Sequence, residues 1–395
     1  MLIRKHIMEK GTVPISIKED EMGISSIGFP RMHKDSGEKR DFLPEFFALF
    51  KAYGDKSIFL EEGYGSAMGY SHDDYLSVNP KISFVSHEES YKGDLVIVLR
   101  APEIYEIDWM KKGAILLSML HFDTREFRNG YLKDKGIYCY SMDSIKNDEG
   151  VRMVVNYYGT AYSGASIAFD ALKKNRLDFY ALNRNPITVS IMGFGAIGLN
   201  AAKAFKNLSN REFLGKEEKL PGLIIKMLTR SITGDEKQLA ELLPDTDILV
   251  DATWRSDPSK AIVSNRLIGL LPENAVILDL TADPYDTKIK PMQIKGIEGI
   301  PTGSLAHCVI EPGDSDYGKV PEGVVKDNKR TVVSCNAWPG VYPVEAMGVY
   351  GKQLKPFVKI LLEKGIKLEH SEDAAPCERA LKKASLEYFD EFGME

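Results

Sequence analysis

Three glycines in the order G-x-G-x-x-G are the residues whose spacing points most directly to chemistry. Gly193, Gly195 and Gly198 follow an apolar segment that begins at Ile187, and an alanine-rich segment with helical periodicity follows them. In a strand-turn-helix unit the first glycine permits a tight turn, the second lets the backbone approach a pyrophosphate, and the third lets the helix pack on the strand. The helix N-terminus adds free N–H groups. The pattern predicts a dinucleotide-binding site that includes Ile197; the alternative is a turn that merely needs glycine.

The residues after the next predicted strand bear on the choice of dinucleotide. A site selective for NAD usually carries an acidic residue about 20 positions after the glycines. Here the strand predicted over Leu223–Leu228 is followed by Thr229, Arg230 and Ser231, with no carboxylate among them. An arginine and hydroxyls suit a 2′-phosphate, so NADP is favoured over NAD. The alternative is that Arg230 is a solvated surface residue. The segment before the strand, residues 209–222, is predicted to be a surface insertion.

Polar side chains also follow two later strands of the same predicted sheet. Thr253 and Trp254 come after one strand, and Thr281 and Asp283 come after another. Sheets of this type bind ligands at the carboxyl ends of their strands. We therefore expect these residues to lie in the cofactor site, with Asp283 facing the nicotinamide. For Asp283 the alternative is a turn closed by its own side chain before a proline.

The first half of the chain contains one histidine and three arginines that suit a carboxylate substrate. His121 follows the apolar run AILLSML, so an imidazole able to exchange protons near neutral pH would lie at the end of a strand. Arg40, Arg100 and Arg152 flank apolar or turn segments and could clamp carboxylates bidentately. The alternatives are a histidine that is only hydrogen-bonded and arginines in surface ion pairs.

The composition limits the classes of function. The 395 residues are 44% hydrophobic and 27% charged, as in a globular protein of about two domains. The 51 basic and 57 acidic residues give a net charge of -6, so no positive field attracts nucleic acid or an anionic membrane. No apolar run approaches the roughly 20 residues of a membrane helix. The charged start MLIRKHIMEK does not resemble a secretory signal, so we expect a cytoplasmic protein.

The cysteines predict no special chemistry. Four are present, far apart and without a CxxC pair: Cys139, Cys308, Cys335 and Cys377. This argues against a disulfide framework and against a zinc site. We expect reduced core thiols and no bound metal.

Apolar runs alternate with helix-period segments, which indicates an α/β fold with parallel sheets. A long helix over residues 162–184 is predicted to lead into a second domain, because Pro186 disfavours its continuation. Two amphipathic helices are predicted after Pro343. We expect two Rossmann-like, doubly wound domains, with the C-terminal helices packing on the first. The predicted substrate domain comprises residues 1–165 and 333–395, and the dinucleotide-binding domain comprises residues 166–332.

Several blocks of the sequence resemble a known superfamily. They are similar to successive blocks of the alanine dehydrogenase and transhydrogenase N-terminal superfamily. These blocks are GFPRMHKDSGEKRDFLP, EEGYGSAMGYSHDDY, DLVIVLRAPE, AILLSMLH, GFGAIGLNAA, and DILVDATWRSDP followed by AVILDLTADPYD. The resemblance extends from about Ser26 to Leu362. NDEGVRMVVNYYGTAYSGA and VVSCNAWPGVYPVEAM resemble more closely the lysine-forming saccharopine dehydrogenases and the carboxyethylornithine synthases.

The resemblance implies NAD(P)-linked hydride transfer at the C–N bond of an amino acid, through an imine of a keto acid and an amine. By the same resemblance, Arg40 matches the arginine that binds the substrate carboxylate and His121 matches the acid/base histidine. Asp283 matches an aspartate near the nicotinamide.

The saccharopine-like segments imply further site residues. Arg152 matches an arginine of that branch, Asp143 stands where the branch carries a glutamate, and Asn336 stands where it carries an aspartate.

The chain departs from the family at Arg100, which stands where the family carries a catalytic lysine. A desolvated lysine can lose its proton, whereas a guanidinium effectively cannot. Arg100 is therefore expected to hold a carboxylate or stabilise developing negative charge, which leaves proton transfer to His121. Asn336 likewise cannot supply the charge of an aspartate. The N-terminal extension of some two dozen residues is also atypical.

The sequence thus predicts an NAD(P)-dependent oxidoreductase of the saccharopine or opine type, which reduces an imine of a 2-oxo acid and an amine or runs the reverse. Its site would lie in a cleft between the two domains. The alternatives are a primary amino-acid dehydrogenase of the alanine type, which uses ammonia, and a noncatalytic dinucleotide-binding protein. The substrate and reaction direction stay open, and an oligomer is possible.

Overall fold

Two six-stranded sheets form the framework of the protein, which the computed structural model describes over residues 23–33, 35–214 and 219–393. The strands of the first sheet are β1 (Ser26–Phe29), β2 (Ser57–Glu61), β3 (Ile82–Val85), β4 (Leu95–Arg100), β5 (Ile115–Met119) and β6 (Tyr138–Ser141). Those of the second are β7 (Ile187–Met192), β8 (Leu223–Leu228), β9 (Ile248–Asp251), β10 (Val276–Asp279), β11 (Val309–Ile310) and β12 (Thr331–Ser334). The predicted α/β class is confirmed.

Helices cover both sheets. The α-helices are α1 (His72–Val78), α2 (His87–Ser90), α3 (Ile104–Asp108), α4 (Glu126–Asp134), α5 (Tyr157–Asn175), α6 (Ala196–Phe213), α7 (Arg230–Thr233), α8 (Glu236–Leu242), α9 (Asn265–Ile268), α10 (Pro343–Lys364), α11 (Pro376–Lys383) and α12 (Leu386–Phe392). Short 3-10 helices occupy Pro44–Ala52, Ser66–Met68, Phe122–Thr124, Met142–Ser144, Leu243–Asp245, Ser315–Lys319 and Trp338–Gly340. No helix in these described ranges is long and apolar enough to cross a membrane.

The strand order creates one ligand-binding crevice in each sheet. The first sheet has the order β3-β2-β1-β4-β5-β6, and its order reverses between β1 and β4. The second has the order β11-β12-β10-β9-β7-β8 and reverses between β7 and β9. All pairings are parallel except that of β11 with β12. Ligands of such folds bind at the carboxyl ends of the strands that flank the reversal.

The C-terminal helices pack against the first sheet, as the sequence predicts. One buried core contains Phe29 of β1, residues of the 3-10 helix Pro44–Ala52, Phe357 of α10 and Leu381 of α11. Helices α5 and α6 pack on the second sheet instead. Strand β12 joins that sheet over its whole length, and the proposed boundary at residues 332 and 333 lies inside it. The domain limits stay a prediction.

The prediction of one helix over residues 162–184 is wrong at both ends. Helix α5 begins at Tyr157, because the side chain of Asn156 accepts a hydrogen bond from the Gly159 N–H and caps the first turn. The helix ends at Asn175, and the chain then forms turns. The periodicity prediction treated Leu177 as part of an apolar helix face, but this side chain is fully exposed.

The structure also bears on the predicted insertion, the N-terminal extension and the cysteines. The insertion predicted at residues 209–222 is helical at its start, because α6 continues through Phe213; residues 215–218 lie outside the described part. The predicted N-terminal extension also lies almost wholly outside it. The four cysteines are free thiols; Cys139 and Cys335 are buried, and Cys308 and Cys377 are partly exposed.

Candidate functional site

The three glycines form the turn between β7 and α6, and each has a distinct steric role. Gly193 has φ of 101°, and a Cβ on it would lie 2.4 Å from the Ala252 carbonyl oxygen. A Cβ on Gly198 would lie 2.1 Å from the Gly193 oxygen. A Cβ on Gly195 would meet nothing within 4 Å among the described residues. The first and third glycines thus serve packing, whereas the second faces open space.

That open space has the properties of a phosphate site. Gly195 is the N-cap of α6 and has no side chain to cap the first N–H groups of this 18-residue helix. Free N–H groups and the helix dipole bind anions. The turn also lies at the β7/β9 reversal, where Gly193 approaches the backbone that follows β9. The residues therefore fit a dinucleotide whose pyrophosphate lies against Gly195.

A cavity of about 840 Å³ extends from this turn along the carboxyl edge of the second sheet. Of the predicted cofactor residues, it is lined by Gly193, Gly195, Thr229, Arg230, Thr253 and Trp254. Four others do not line it: Ile197, Gly198, Ser231 and Thr281. Ile197 is partly buried against the core of the second sheet. The hydroxyl of Thr281 donates to Asp279 Oδ1 at 2.8 Å, so it holds a neighbouring carboxylate.

Arg230 lies at the end of this cavity, in the first turn of α7. Thr229 precedes it, and the hydroxyls of Thr229 and Ser231 are 2.7 Å apart. Among the described residues the Arg230 guanidinium has no ion-pair partner and is exposed. The nearby carboxylate of Glu236, which also lines the cavity, pairs with Arg266 instead. The free guanidinium is consistent with the predicted 2′-phosphate site.

Two buried carboxylates, Asp251 and Asp279, end neighbouring strands and support the edge of the sheet. Asp279 is paired with Lys295 at 2.7 Å, and both side chains are 1% exposed. Burial opposes ionisation of Asp279, but Lys295 holds its pKa below the usual range. Burial and the Asp279 charge raise the pKa of Asp251 to about 6, although Thr253 donates to it. Their positions, each last in its strand, are the signal in the sequence.

Asp283 contacts an arginine rather than capping its own turn. Its Oδ2 accepts a hydrogen bond from Arg255 Nη2 at 2.7 Å, and its carbonyl oxygen accepts one from Lys295. The preceding residue, Ala282, has φ of 55°. These contacts fix the position of a partly exposed carboxylate beyond the end of β10. A role facing the nicotinamide stays a prediction.

At the reversal point of the first sheet, two predicted arginines are paired with carboxylates of one loop. Arg40 is 5% exposed and holds Glu38 bidentately, with Nε and Nη2 donating at 2.8 and 2.5 Å. Arg100, the last residue of β4, donates to Asp35 through Nη1, which is also 3.7 Å from Glu38 Oε2. Sequence reasoning named the arginines and missed both acidic partners, although GEKR places a glutamate two residues before Arg40.

His121 and Asp143 form a second pair at the same edge. Nδ1 of His121 is 3.2 Å from Asp143 Oδ2, and the backbone N–H of His121 donates to Oδ1. Burial would raise the pKa of Asp143, but His121 and the Ser141 hydroxyl lower it to about 2. The imidazole is 53% exposed and has φ of 50°. The ring is thus oriented by a carboxylate and open to a ligand.

The remaining predicted residues lie around the arginine pair. Asn336, which follows β12, donates to Asp35 at 3.5 Å and so links the two sheets. Burial raises the pKa of Tyr350, and the charges of Arg40 and Arg152 oppose this shift. The Nε of Arg152 is buried and lacks a hydrogen-bond partner among the described residues. The structure therefore groups Arg40, Arg100 and Asn336 around Asp35 and Glu38, and the charge of Arg152 acts on the same tyrosine as that of Arg40.

Comparison with known proteins agrees with this architecture. The family model described as alanine dehydrogenase/PNT, N-terminal domain, matches residues 37–158. Alanine dehydrogenase 1 of Staphylococcus aureus (strain NCTC 8325 / PS 47) is 23% identical over 325 residues, which are 72% of this chain and 85% of that protein.

Solved structures agree on the fold. An L-alanine dehydrogenase aligns with a TM-score of 0.67 and 18% identity, covering 91% of this chain and 94% of its own. A transhydrogenase from Sinorhizobium meliloti aligns with a TM-score of 0.62 and 15% identity, covering 85% and 94%. The resemblance to the superfamily is confirmed, whereas the particular likeness to saccharopine dehydrogenases stays a prediction.

Proposed function

Since the chain carries an alanine dehydrogenase/PNT N-terminal domain and shares its relatives' fold over most of its length, we propose that it is an NAD(P)-dependent amino-acid dehydrogenase. We propose further that its amine is ammonia, as in the alanine type, and that it interconverts a 2-oxo acid and an amino acid. The observation that carries the proposal is that each sheet has a candidate site at the point where its strand order reverses. One holds a helix N-terminus without a side-chain cap, and the other holds arginines and a histidine oriented by a carboxylate.

The residues of the first sheet suit the substrate chemistry. The substrate carboxylate would be held by Arg100, which is partly exposed, while the buried Arg40 supports Glu38 beside it. His121 would give a proton to the leaving oxygen as the imine forms and take one in the reverse direction. Asp143 keeps the ring in one orientation. The nicotinamide supplies hydride from its C4 when bound.

The loop with Asp35 and Glu38 adjusts the charge of this pocket. Its two carboxylates pair with the two arginines, Asp35 with Arg100 and Glu38 with Arg40. A substrate carboxylate must displace Asp35 from Arg100 to gain a bidentate contact. This exchange makes binding weaker than at an unpaired arginine, and it leaves Asp35 with its hydrogen bond from Asn336. A closing motion that excludes water would complete the site.

Arg152 favours a second candidate, the saccharopine or opine type. Its charge acts on Tyr350 as that of Arg40 does, and its buried Nε has no partner among the described residues. A free arginine would suit the second carboxylate of an imine formed from a 2-oxo acid and an amino acid. The ammonia-dependent reaction is favoured instead, because alanine dehydrogenase 1 of Staphylococcus aureus is among the relatives of this chain.

The two candidates differ in the amine, so one assay separates them. NADH or NADPH oxidation is followed at 340 nm with pyruvate or a longer 2-oxo acid, together with ammonium chloride or with lysine or ornithine. We expect turnover to saturate with ammonium and one 2-oxo acid. Turnover that depends on lysine or ornithine would replace this proposal with the second candidate. Tight dinucleotide binding without turnover for any pair would refute both and support the noncatalytic alternative.

A further inference from the structure

We propose that His33, Glu61 and His87 form a binding site for a divalent transition metal, with zinc as the best-fitting ion. The three side chains offer ligand atoms that all lie within 4.8 Å of one another. Glu61 is the centre, with Oε1 2.6 Å from His33 Nε2 and Oε2 2.7 Å from His87 Nδ1. This site is separate from the histidine proposed above for proton transfer.

The three ligands come from separate strand ends, which explains why the sequence gave no spacing signal. His33 follows β1, Glu61 is the last residue of β2, and His87 follows β3. These strands are neighbours and parallel, so their carboxyl ends meet at one edge. The residues are 28 and 26 positions apart and match no short metal-binding motif.

The chemistry of the donors fits zinc or a similar ion. Imidazole nitrogen and carboxylate oxygen are typical zinc ligands, and three protein ligands with an open fourth position occur in many accessible zinc sites. Metal bonds of about 2.0–2.2 Å need ligand atoms roughly 3.3 Å apart, so the two hydrogen-bonded contacts must open by less than 1 Å and any wider pair must close from at most 4.8 Å. His33 can provide this adjustment, because its side chain is 46% exposed.

The surrounding contacts orient the ligands as outer-shell partners do. His87 Nε2 lies 3.0 Å from Glu106 Oε1, so the nitrogen opposite the proposed metal is held by a second carboxylate. This carboxylate-histidine-metal arrangement fixes the ring and raises its basicity. Glu61 Oε2 also accepts the Arg31 backbone N–H at 2.7 Å. The His33 and His87 rings lie edge to face with centroids 4.5 Å apart.

A bound metal would stabilise the loop of the substrate site. His33 lies two residues before Asp35, which binds Arg100, and five before Glu38. Fixing His33 to the ends of β2 and β3 restricts the start of that loop. We therefore expect a bound metal to restrict the position of the loop. Metal binding should be measurable on the protein without substrate.

A second cluster provides a matched control. His307, Asp314 and Asp316 also bring ligand atoms together, with His307 2.7 Å from Asp314 and 3.7 Å from Asp316. His307 is 49% exposed, close to the value for His33. It has one imidazole instead of two. His33→Ala and His307→Ala thus remove equally accessible histidines from the two clusters.

The test is titration of the full chain, freed of metal by chelator, with Zn²⁺ in a calorimeter and with Co²⁺ in a spectrophotometer. We expect one strong site in the parent, visible Co²⁺ absorption bands, and a melting temperature raised by several degrees with Zn²⁺. His33→Ala should weaken Zn²⁺ binding at least tenfold and remove the bands, while its melting temperature without metal equals that of the parent. His307→Ala should leave binding unchanged.

Three results would overturn the proposal: no Zn²⁺ binding by the parent, binding unaffected by His33→Ala, or binding lost in His307→Ala. Glu61→Gln offers a second variant, since it keeps the size of the side chain and removes its charge. The proposal also fails if this variant binds Zn²⁺ as tightly as the parent. The cluster would then be a network of hydrogen bonds and ion pairs only.

Discussion

Replacing Gly195 with valine should abolish dinucleotide binding and leave the fold intact. A Cβ at this position meets nothing within 4 Å among the described residues, and the backbone φ of -70° is compatible with valine. We therefore expect the free energy of unfolding to change by less than about 1 kcal/mol. The side chain would occupy the space assigned to the pyrophosphate. Two hydrogen bonds to a charged group, at roughly 1.5–3 kcal/mol each, would be lost, which corresponds to an affinity loss of more than about 100-fold.

Gly198→Ala is the matched control, since it should do the reverse. Its Cβ would lie 2.1 Å from the Gly193 carbonyl oxygen, a backbone atom that cannot move freely. Overpacking of this kind costs about 1–3 kcal/mol. Urea denaturation measures the stability of both variants, and quenching of tryptophan fluorescence by NADH or NADPH measures affinity. The reasoning is refuted if Gly195→Val binds within threefold of the parent, or if its affinity and stability fall together as in a misfolded variant.

Three further predictions concern the two sites. Arg230→Ala should reduce the preference for NADPH over NADH about tenfold, because the unpaired guanidinium is lost; equal titration curves for both cofactors in the parent would contradict this. His121→Ala should lower kcat by roughly 100-fold or more with little change in cofactor affinity, as stopped-flow and steady-state kinetics can establish. Asp251→Asn should flatten the pH dependence of stability. In the parent, a pKa near 6 instead of 3.8 means that the folded chain keeps a proton that the unfolded chain loses. The free energy of unfolding of the parent therefore falls by up to about 3 kcal/mol as pH rises from about 4 to 6. Urea denaturation of parent and variant at pH 4.5 and 7.5 tests this, and equal slopes would refute it.

Local patterns in the sequence were sufficient to identify the elements that carry the cofactor turn. The strand predicted over Leu223–Leu228 has these exact limits, and the turn at Gly193 lies between a strand and a helix. Both features depend on neighbours in the sequence, because periodicity and glycine spacing are local properties. The helix predicted over 162–184 failed for the opposite reason. The helix ends immediately before Arg176, whose guanidinium pairs with Asp178 and with the distant Asp247.

The partners of the site residues could not be predicted, since they come from distant parts of the chain. Arg100 was identified, but its pairing with Asp35 joins residues 65 positions apart. Lys295 supports Asp279 from a segment that shows no regular pattern. Asp143 was assigned through a family resemblance, and only the fold shows that it orients His121. Charges on separate strands meet through the strand order, which a single sequence does not reveal.

The most direct test of the proposed chemistry follows the hydride itself. The protein is incubated with a 2-oxo acid, ammonium and NADH or NADPH carrying deuterium at the nicotinamide C4, and the amino acid formed is analysed by mass spectrometry and proton NMR. Cofactors labelled on either face of the ring are used in parallel. The account predicts one deuterium at the α-carbon of the product from one of the two labelled cofactors. An amino acid without deuterium from both, or no amino acid at all, would contradict it.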